Sequence, residues 1–314
     1  MCVGFWTLEH PDYALILCTN RDEYLSRPTT TAYWHSFEVP INEKDIAEES
    51  NNSSNKGSVL SGRDLRAGGT WLGINRHGDV AFLTNITETV QHLNSTRGEL
   101  TSSFLLSDVR PQDLQTYCDE VTAHNSQYAG FNLLLLAPRP LNPSLSHSGA
   151  HLTNHGGGGD LASRPLTDTE RRYGALSNGI DGLDANEWPK VQQGLEMFED
   201  VLDKHIRGRN IPDLVERLFH LLTWKNPIAP TITRNDLRNT ILIDPLHEES
   251  TTTTTTTTTT TCYGTRLSTV ILVRRDGSAL FIERDVWKFD SEGQIKKGDW
   301  PKEDRVHRFQ LATR

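Results

Sequence analysis

Apolar residues form short runs near both ends of the chain and recur at helical spacing through its middle. Cys2–Leu8 and Tyr13–Thr19 flank Glu9-His10-Pro11-Asp12, whose turn chemistry predicts a first hairpin. Thr70–Asn75 and Val80–Thr84, around Arg76-His77-Gly78-Asp79, predict a second. Thr265–Val273 and Ala279–Arg284, around Arg274-Arg275-Asp276-Gly277, predict a third. Phe131–Ala137 reads as a buried strand, and Leu100–Val109 and Pro111–His124 as helices. Pro189–His205 repeats Val191, Leu195, Phe198 and Leu202 at helical spacing, with Pro189 at the first helical position. Ile211–Trp224 places Leu214, Leu218, Leu221 and Leu222 on one face. Three tracts break the pattern. Residues 41–61 are polar, 139–161 form a loop rich in Pro, Ser, His and Gly, and 247–261 hold the unbroken run Thr251–Thr261, read as an insertion and not a strand. Strands at both ends with helices between them predict one α+β domain over residues 1–314, a layered sheet sandwich covered by helices.

Composition narrows the possibilities. Apolar residues are about 40% when Gly is counted and Tyr is not, lean against the usual range of about 45–50%, and the polar tracts carry much of the shortfall. No apolar run approaches the roughly 20 residues of a membrane-spanning helix. Lys+Arg 32 against Asp+Glu 41 gives a net charge of -9, which argues against nucleic acid or an anionic membrane as partner. Cys2, Cys18, Cys118 and Cys262 are too scattered for a disulfide framework, and no C-x-x-C pair offers a zinc or covalent haem site. The segment Met1–Trp6 lacks a basic start, so no secretory signal is expected and the cytoplasm is the expected compartment. His151 and His155 have a helical metal-pair spacing, but Gly156–Gly159 beside them argue against a helix; no metal or cofactor is expected.

The hairpins bring polar groups together. A first turn centred near residues 10 and 11 pairs positions summing to about 21 or 22, so Cys2 falls opposite Thr19 or Asn20. Asn20-Arg21-Asp22-Glu23 then leaves the strand beside Cys2. Removal of Met1, expected before a small residue, would leave Cys2 with a thiol and a free α-amine. With reference pKa values of about 8.5 and about 7.7–8.0, the amine can take the thiol proton near neutral pH. Arg21 would favour the thiolate, and Asp22 would hold the amine. A plainer reading stands beside this one: a buried Cys2 and a surface Arg21–Asp22 ion pair. Asn85 ends the second hairpin and Asn178, in Leu176-Ser177-Asn178-Gly179, ends another strand. Both suit donors to a developing oxyanion, or turn asparagines. Arg266 opens the third hairpin, as a cationic site residue or a strand-edge gatekeeper. Trp6, Trp71 and Trp188 read as core residues before pocket lining.

These blocks also carry a resemblance. Met1-Cys2, Asn20-Arg21-Asp22-Glu23, Gly62-Arg63-Asp64, Gly68-Gly69-Thr70-Trp71-Leu72-Gly73, Leu83-Thr84-Asn85, Leu176-Ser177-Asn178, Trp188-Pro189-Lys190-Val191 and Tyr263-Gly264-Thr265-Arg266 together resemble the NRDE family, in family order. That family is also called transport and Golgi organisation protein 2. The resemblance implies an αββα four-layer sandwich of the N-terminal nucleophile hydrolase type. It implies a site of Cys2, Arg21, Asp22, Asn85, Asn178 and Arg266, similar in kind and order to that of choloylglycine hydrolases and penicillin acylases, which cleave amides through an N-terminal cysteine. The family is associated with Golgi organisation, protein secretion and intracellular haem handling, which implies a cytoplasmic protein linked to the Golgi or mitochondria. Three readings follow: a cysteine amidohydrolase or acylase, a non-enzymatic haem carrier using the same pocket, and a trafficking factor. The implied ligand is small, apolar or amide-containing, with haem among the candidates.

Overall fold

The computed structural model describes residues 2–38, 57–88, 95–107, 114–124, 126–140, 144–205, 210–229, 233–251 and 258–312. Among these, two seven-stranded antiparallel sheets carry the fold. The first holds β1 (Val3–Thr7), β2 (Tyr13–Tyr24), β10 (Gly174–Leu176), β11 (Leu246–Thr251), β12 (Thr258–Arg274), β13 (Ser278–Asp285) and β16 (Arg305–Gln310). Its order is β10-β1-β2-β12-β13-β16, with β11 beside β12. The second runs in chain order through β3 (Tyr33–His35), β4 (Val59–Ser61), β5 (Leu72–Asn75), β6 (Val80–Asn85), β7 (Phe131–Pro140), β8 (Leu145–Thr153) and β9 (Ala162–Pro165). A separate ribbon pairs β14 (Trp287–Phe289) with β15 (Ile295–Lys297). Helices α1 (Arg97–Leu106) and α2 (Leu114–Ala123) cover the second sheet. Short α3 (Asp168–Arg172), fixed by a reciprocal Thr167–Glu170 cap, leads into β10. Helices α4 (Pro189–Lys204) and α5 (Ile211–Leu221) cover the first sheet.

Strand alternation builds the layers. In β2, Leu15 and Leu17 meet Ile74, Phe82, Leu134 and Leu136 between the sheets, while Ile16 and Cys18 face Phe198 of α4 and Leu218 of α5. In β7, Leu134 and Leu136 point inward and Leu133 and Leu135 meet Phe104 and Leu114. Burial on both faces is why these strands read as unbroken apolar runs. The result is the expected αββα arrangement. Gly194 sets how closely α4 approaches β1: a Cβ there would lie 2.1 Å from Phe5 Cζ.

Several expectations need correction. The first hairpin pairs Val3 with Asn20 and Thr7 with Ile16, so the next step places Cys2 opposite Arg21, not Thr19 or Asn20. Strand β2 also runs on to Tyr24, so Asn20–Glu23 continues the strand and does not leave it. The expected loop 139–161 contains β8, fully paired with β7; His147, Gly149, His151 and Thr153 among its buried positions thin the apolar signal that Ala150 and Leu152 carry. Within 41–61, Val59–Ser61 forms β4, and 41–56 lie outside the described residues. The threonine run is partly strand: Thr251 pairs with Thr258, and Ser250 to His247 pair with Thr259 to Cys262, as suits β-branched residues. Residues 252–257 lie outside the described residues, as do 108–109 and 111–113 of the two expected middle helices.

His147 links the sheets. It is 0% exposed, with Nδ1 3.3 Å from Ala14 O on β2 and Nε2 3.2 Å from Gly78 O in the β5–β6 turn. Burial holds its pKa down to about 4, against about 6.5 in an unfolded chain. The unfolded state therefore binds the extra proton first. Stability from this group is whole above pH 6.5 and is lost as pH falls toward 4, by about 3 kcal/mol in all. Urea unfolding across that window should give a flatter profile for His147→Gln than for wild type. Parallel profiles would remove His147 as the cause.

Candidate active site at Cys2

The Asn20–Glu23 segment serves both faces of β2. Asn20 faces the helix layer: its Nδ2 donates to Leu222 O at 2.9 Å and Ile241 O at 3.1 Å, and its Oδ1 accepts from Ser268 Oγ at 2.6 Å. Asp22 shares that parity and accepts from Thr265 Oγ1 at 2.6 Å. Arg21 points the other way, its guanidinium carbon 3.7 Å above the Trp71 ring. It is 5% exposed, and its Nη1 has no hydrogen-bond partner among the described residues. Trp71 thus lines the site while also packing against the core, whereas Trp6 is core alone.

Cys2 stands just ahead of β1. Its carbonyl accepts from Ser177 Oγ at 2.9 Å, and its Sγ donates to Asp22 O across 3.9 Å. Burial pushes its thiol above the ordinary pKa and the Asp22 charge adds to this, while Arg21 pulls it down too weakly to prevail. Arg21 favours the thiolate, as expected, but desolvation outweighs this one cation. Burial also pushes the Asp22 carboxyl up, with Lys190 and the Thr265 hydroxyl opposing it.

Asn85 ends β6 and is exposed toward the cleft. Asn178, just after β10, donates from Nδ2 to Asn85 O at 2.5 Å, and Thr84 Oγ1 donates to Ser177 O at 2.5 Å. These bonds join the two sheets beside Cys2. Arg266 does not open the hairpin, because β12 begins eight residues earlier at Thr258. It is the bulged residue: Thr265 pairs with Asp22 and Leu267 with Arg21, leaving Arg266 between them. Its Nη1 donates to Arg27 O, and burial lowers its pKa to about 10. A cleft of about 920 Å³ is lined by Cys2, Arg21, Asp22, Asn85 and Asn178, together with Glu23, Arg27, Asp64, Trp71, Glu88, Arg97 and Arg234. Arg266 is not part of that lining.

Sequence reasoning missed Lys190. The second residue of α4, it is 0% exposed and feels the charges of Asp22 and Cys2. Its signal was its place one helical turn before Gly194, on the face that packs on β1. A second cavity, apolar and about 690 Å³, lies between α5 and β12, β13 and β16, and shares no residue with the Cys2 cleft. Among the described residues, no group of three or more His, Cys, Asp or Glu is placed to hold a metal ion, and no helix is long and apolar enough to cross a membrane.

A sequence model described as Transport and Golgi organisation 2 matches residues 1–288. The chain belongs to this family. The Transport and Golgi organization protein 2 homolog of Bos taurus is 33% identical over 325 residues, covering 100% of both chains. The Homo sapiens homolog is 30% identical, over 92% of this chain and 95% of its own. Among solved structures, a variant of the conjugated bile acid hydrolase from Clostridium perfringens matches with a TM-score of 0.50 and 9% identity, over 99% of this chain and 97% of that one. A Caenorhabditis elegans ortholog of N-acylethanolamine-hydrolyzing acid amidase matches with a TM-score of 0.44 and 9% identity, over 86% and 92%. This Transport and Golgi organisation 2 chain thus has the N-terminal nucleophile hydrolase fold.

Proposed function

We propose that the cleft hydrolyses a C–N amide bond through Cys2. The observation that carries this reading is the convergence of the Cys2 thiol, Arg21, Asp22, Asn85 and Asn178 in one cleft of a four-layer sandwich. With the preceding residue removed, the Cys2 amine takes the thiol proton as sulfur attacks the carbonyl carbon. A thiol that burial keeps neutral suits this transfer, since the proton leaves only as the new bond forms. Asn178 commits one amide hydrogen to Asn85 O and keeps the other for the oxyanion; the Asn85 side chain is the second donor. The amine then passes the proton to the leaving nitrogen, the C–N bond breaks, and water releases the acyl group from sulfur. Asp22 orients the amine from behind the sheet, and Arg21, set on Trp71, offers its Nη1 side to a polar substrate group.

The charged lining supports a ligand with polar groups at the carbonyl end and gives no specific support to haem as cargo. A role in transport and Golgi organisation is carried by the names of the relatives. The test is the purified full-length protein incubated with a panel of N-acyl amides, with intact mass reporting the state of residue 1. Hydrolysis with an acyl adduct located on Cys2 supports the reading. A processed protein that hydrolyses no member and forms no adduct on Cys2 overturns it.

A further inference from the structure

Lys190 is a buried cation with no place in the chemistry just described. It is 0% exposed, its Nζ lies 5.5 Å from the centre of the Trp188 ring, and Gly194 one turn later lets α4 sit directly on Phe5 of β1. An ammonium in that position is costly unless negative charge answers it. Among the described residues, Asp22, from β2, and Cys2, ahead of β1, are titratable groups whose charge it feels. Thr265 of β12 holds the Asp22 carboxylate from the neighbouring strand.

We propose that Lys190 is the buried counter-charge of the nucleophile: reaching the sheet from its helix side, it stabilises the Asp22 carboxylate and the negative sulfur that forms when Cys2 gives up its proton. It is a positioning residue, since it acts through Asp22 and the field at Cys2 and does not line the cleft. Asp22 and, once ionised, Cys2 are the negative groups beside the Lys190 ammonium. Glu23, on the opposite face of β2, answers Arg21 from the cleft. Burial lowers the Lys190 pKa to about 8, so its charge is present at neutral pH and lost on the alkaline side.

The inference rests on Cys2 being the nucleophile, yet its test needs no substrate. Iodoacetamide alkylation of Cys2 in the full-length protein is followed against pH, with peptide mass separating Cys2 from the buried Cys18, Cys118 and Cys262. In Lys190→Met the alkylation midpoint should move up by about one pH unit, and the rate at pH 7 should fall about tenfold. Lys190→Arg, which keeps the charge, should restore most of the rate. A folded Lys190→Met with the wild-type profile overturns the proposal. Where that variant does not fold, the double variant Asp22→Asn with Lys190→Met decides. Recovery of folding when both charges are removed supports the coupling, and failure of both variants overturns it in favour of a purely structural lysine. A wild type inactive on every amide leaves this readout intact, so the two ideas fail separately.

Discussion

Cys2→Ala is expected to abolish hydrolysis of any amide the wild type cleaves, lowering kcat by about 10³-fold or more, while leaving the fold nearly unchanged. The two halves of that result come from different features. In the proposed reaction the sulfur is the attacking atom, and Asn85 and Asn178, as oxyanion donors, cannot replace it. Structurally, Cys2 is only partly buried, precedes β1, and contributes one long thiol contact to Asp22 O. Its more important bond, from Ser177 Oγ to the Cys2 carbonyl, uses the backbone and survives the change. The expected stability cost is therefore about 1 kcal/mol or less. Steady-state kinetics and urea unfolding on the same preparation check both halves. Hydrolysis that persists in a folded Cys2→Ala protein would place the chemistry elsewhere.

Asp22→Ala should instead destabilise the protein strongly, by about 3–5 kcal/mol at pH 7. Its carboxylate is buried, takes the Thr265 hydroxyl, and feels the Lys190 cation. Alanine leaves the Thr265 hydroxyl without this acceptor and the buried lysine without this anion. The backbone carbonyl of Asp22, which accepts from Tyr263 OH at 3.0 Å, is retained, so the loss is that of the carboxylate. Asn keeps an oxygen for Thr265 and should cost less than Ala. Equal stability of wild type and Asp22→Ala in urea would mean that the buried charges do not depend on one another.

Much of this site can be read from hairpin ends. Cys2 and Asn85 are found because a strand that turns must bring its far end back, and Asn178 because its block ends a short strand. What fails is whatever depends on a single residue of register. The turn after Thr7 holds one position more than its chemistry suggests, and Cys2 moves from Asn20 to Arg21. The bulge at Arg266 adds a residue to one strand only, which periodicity cannot display. Strand β8 escapes because polar residues and Gly149 take most of its buried positions, leaving only Ala150 and Leu152 to signal it. Lys190 escapes because a lysine reads as solvated until the helix carrying it is known to press on a sheet.

Asn20 alters what its neighbours' presence means. By tying the end of α5 and the Ile241 segment to Ser268 of β12, it makes the first letter of the Asn-Arg-Asp-Glu signature a rivet of the architecture. A relative could therefore abandon catalysis altogether, losing Cys2, and still be compelled to keep Asn20 in order to fold. Recognition of the signature certifies the scaffold, and the proposed hydrolysis must be judged from Cys2 and Asn178.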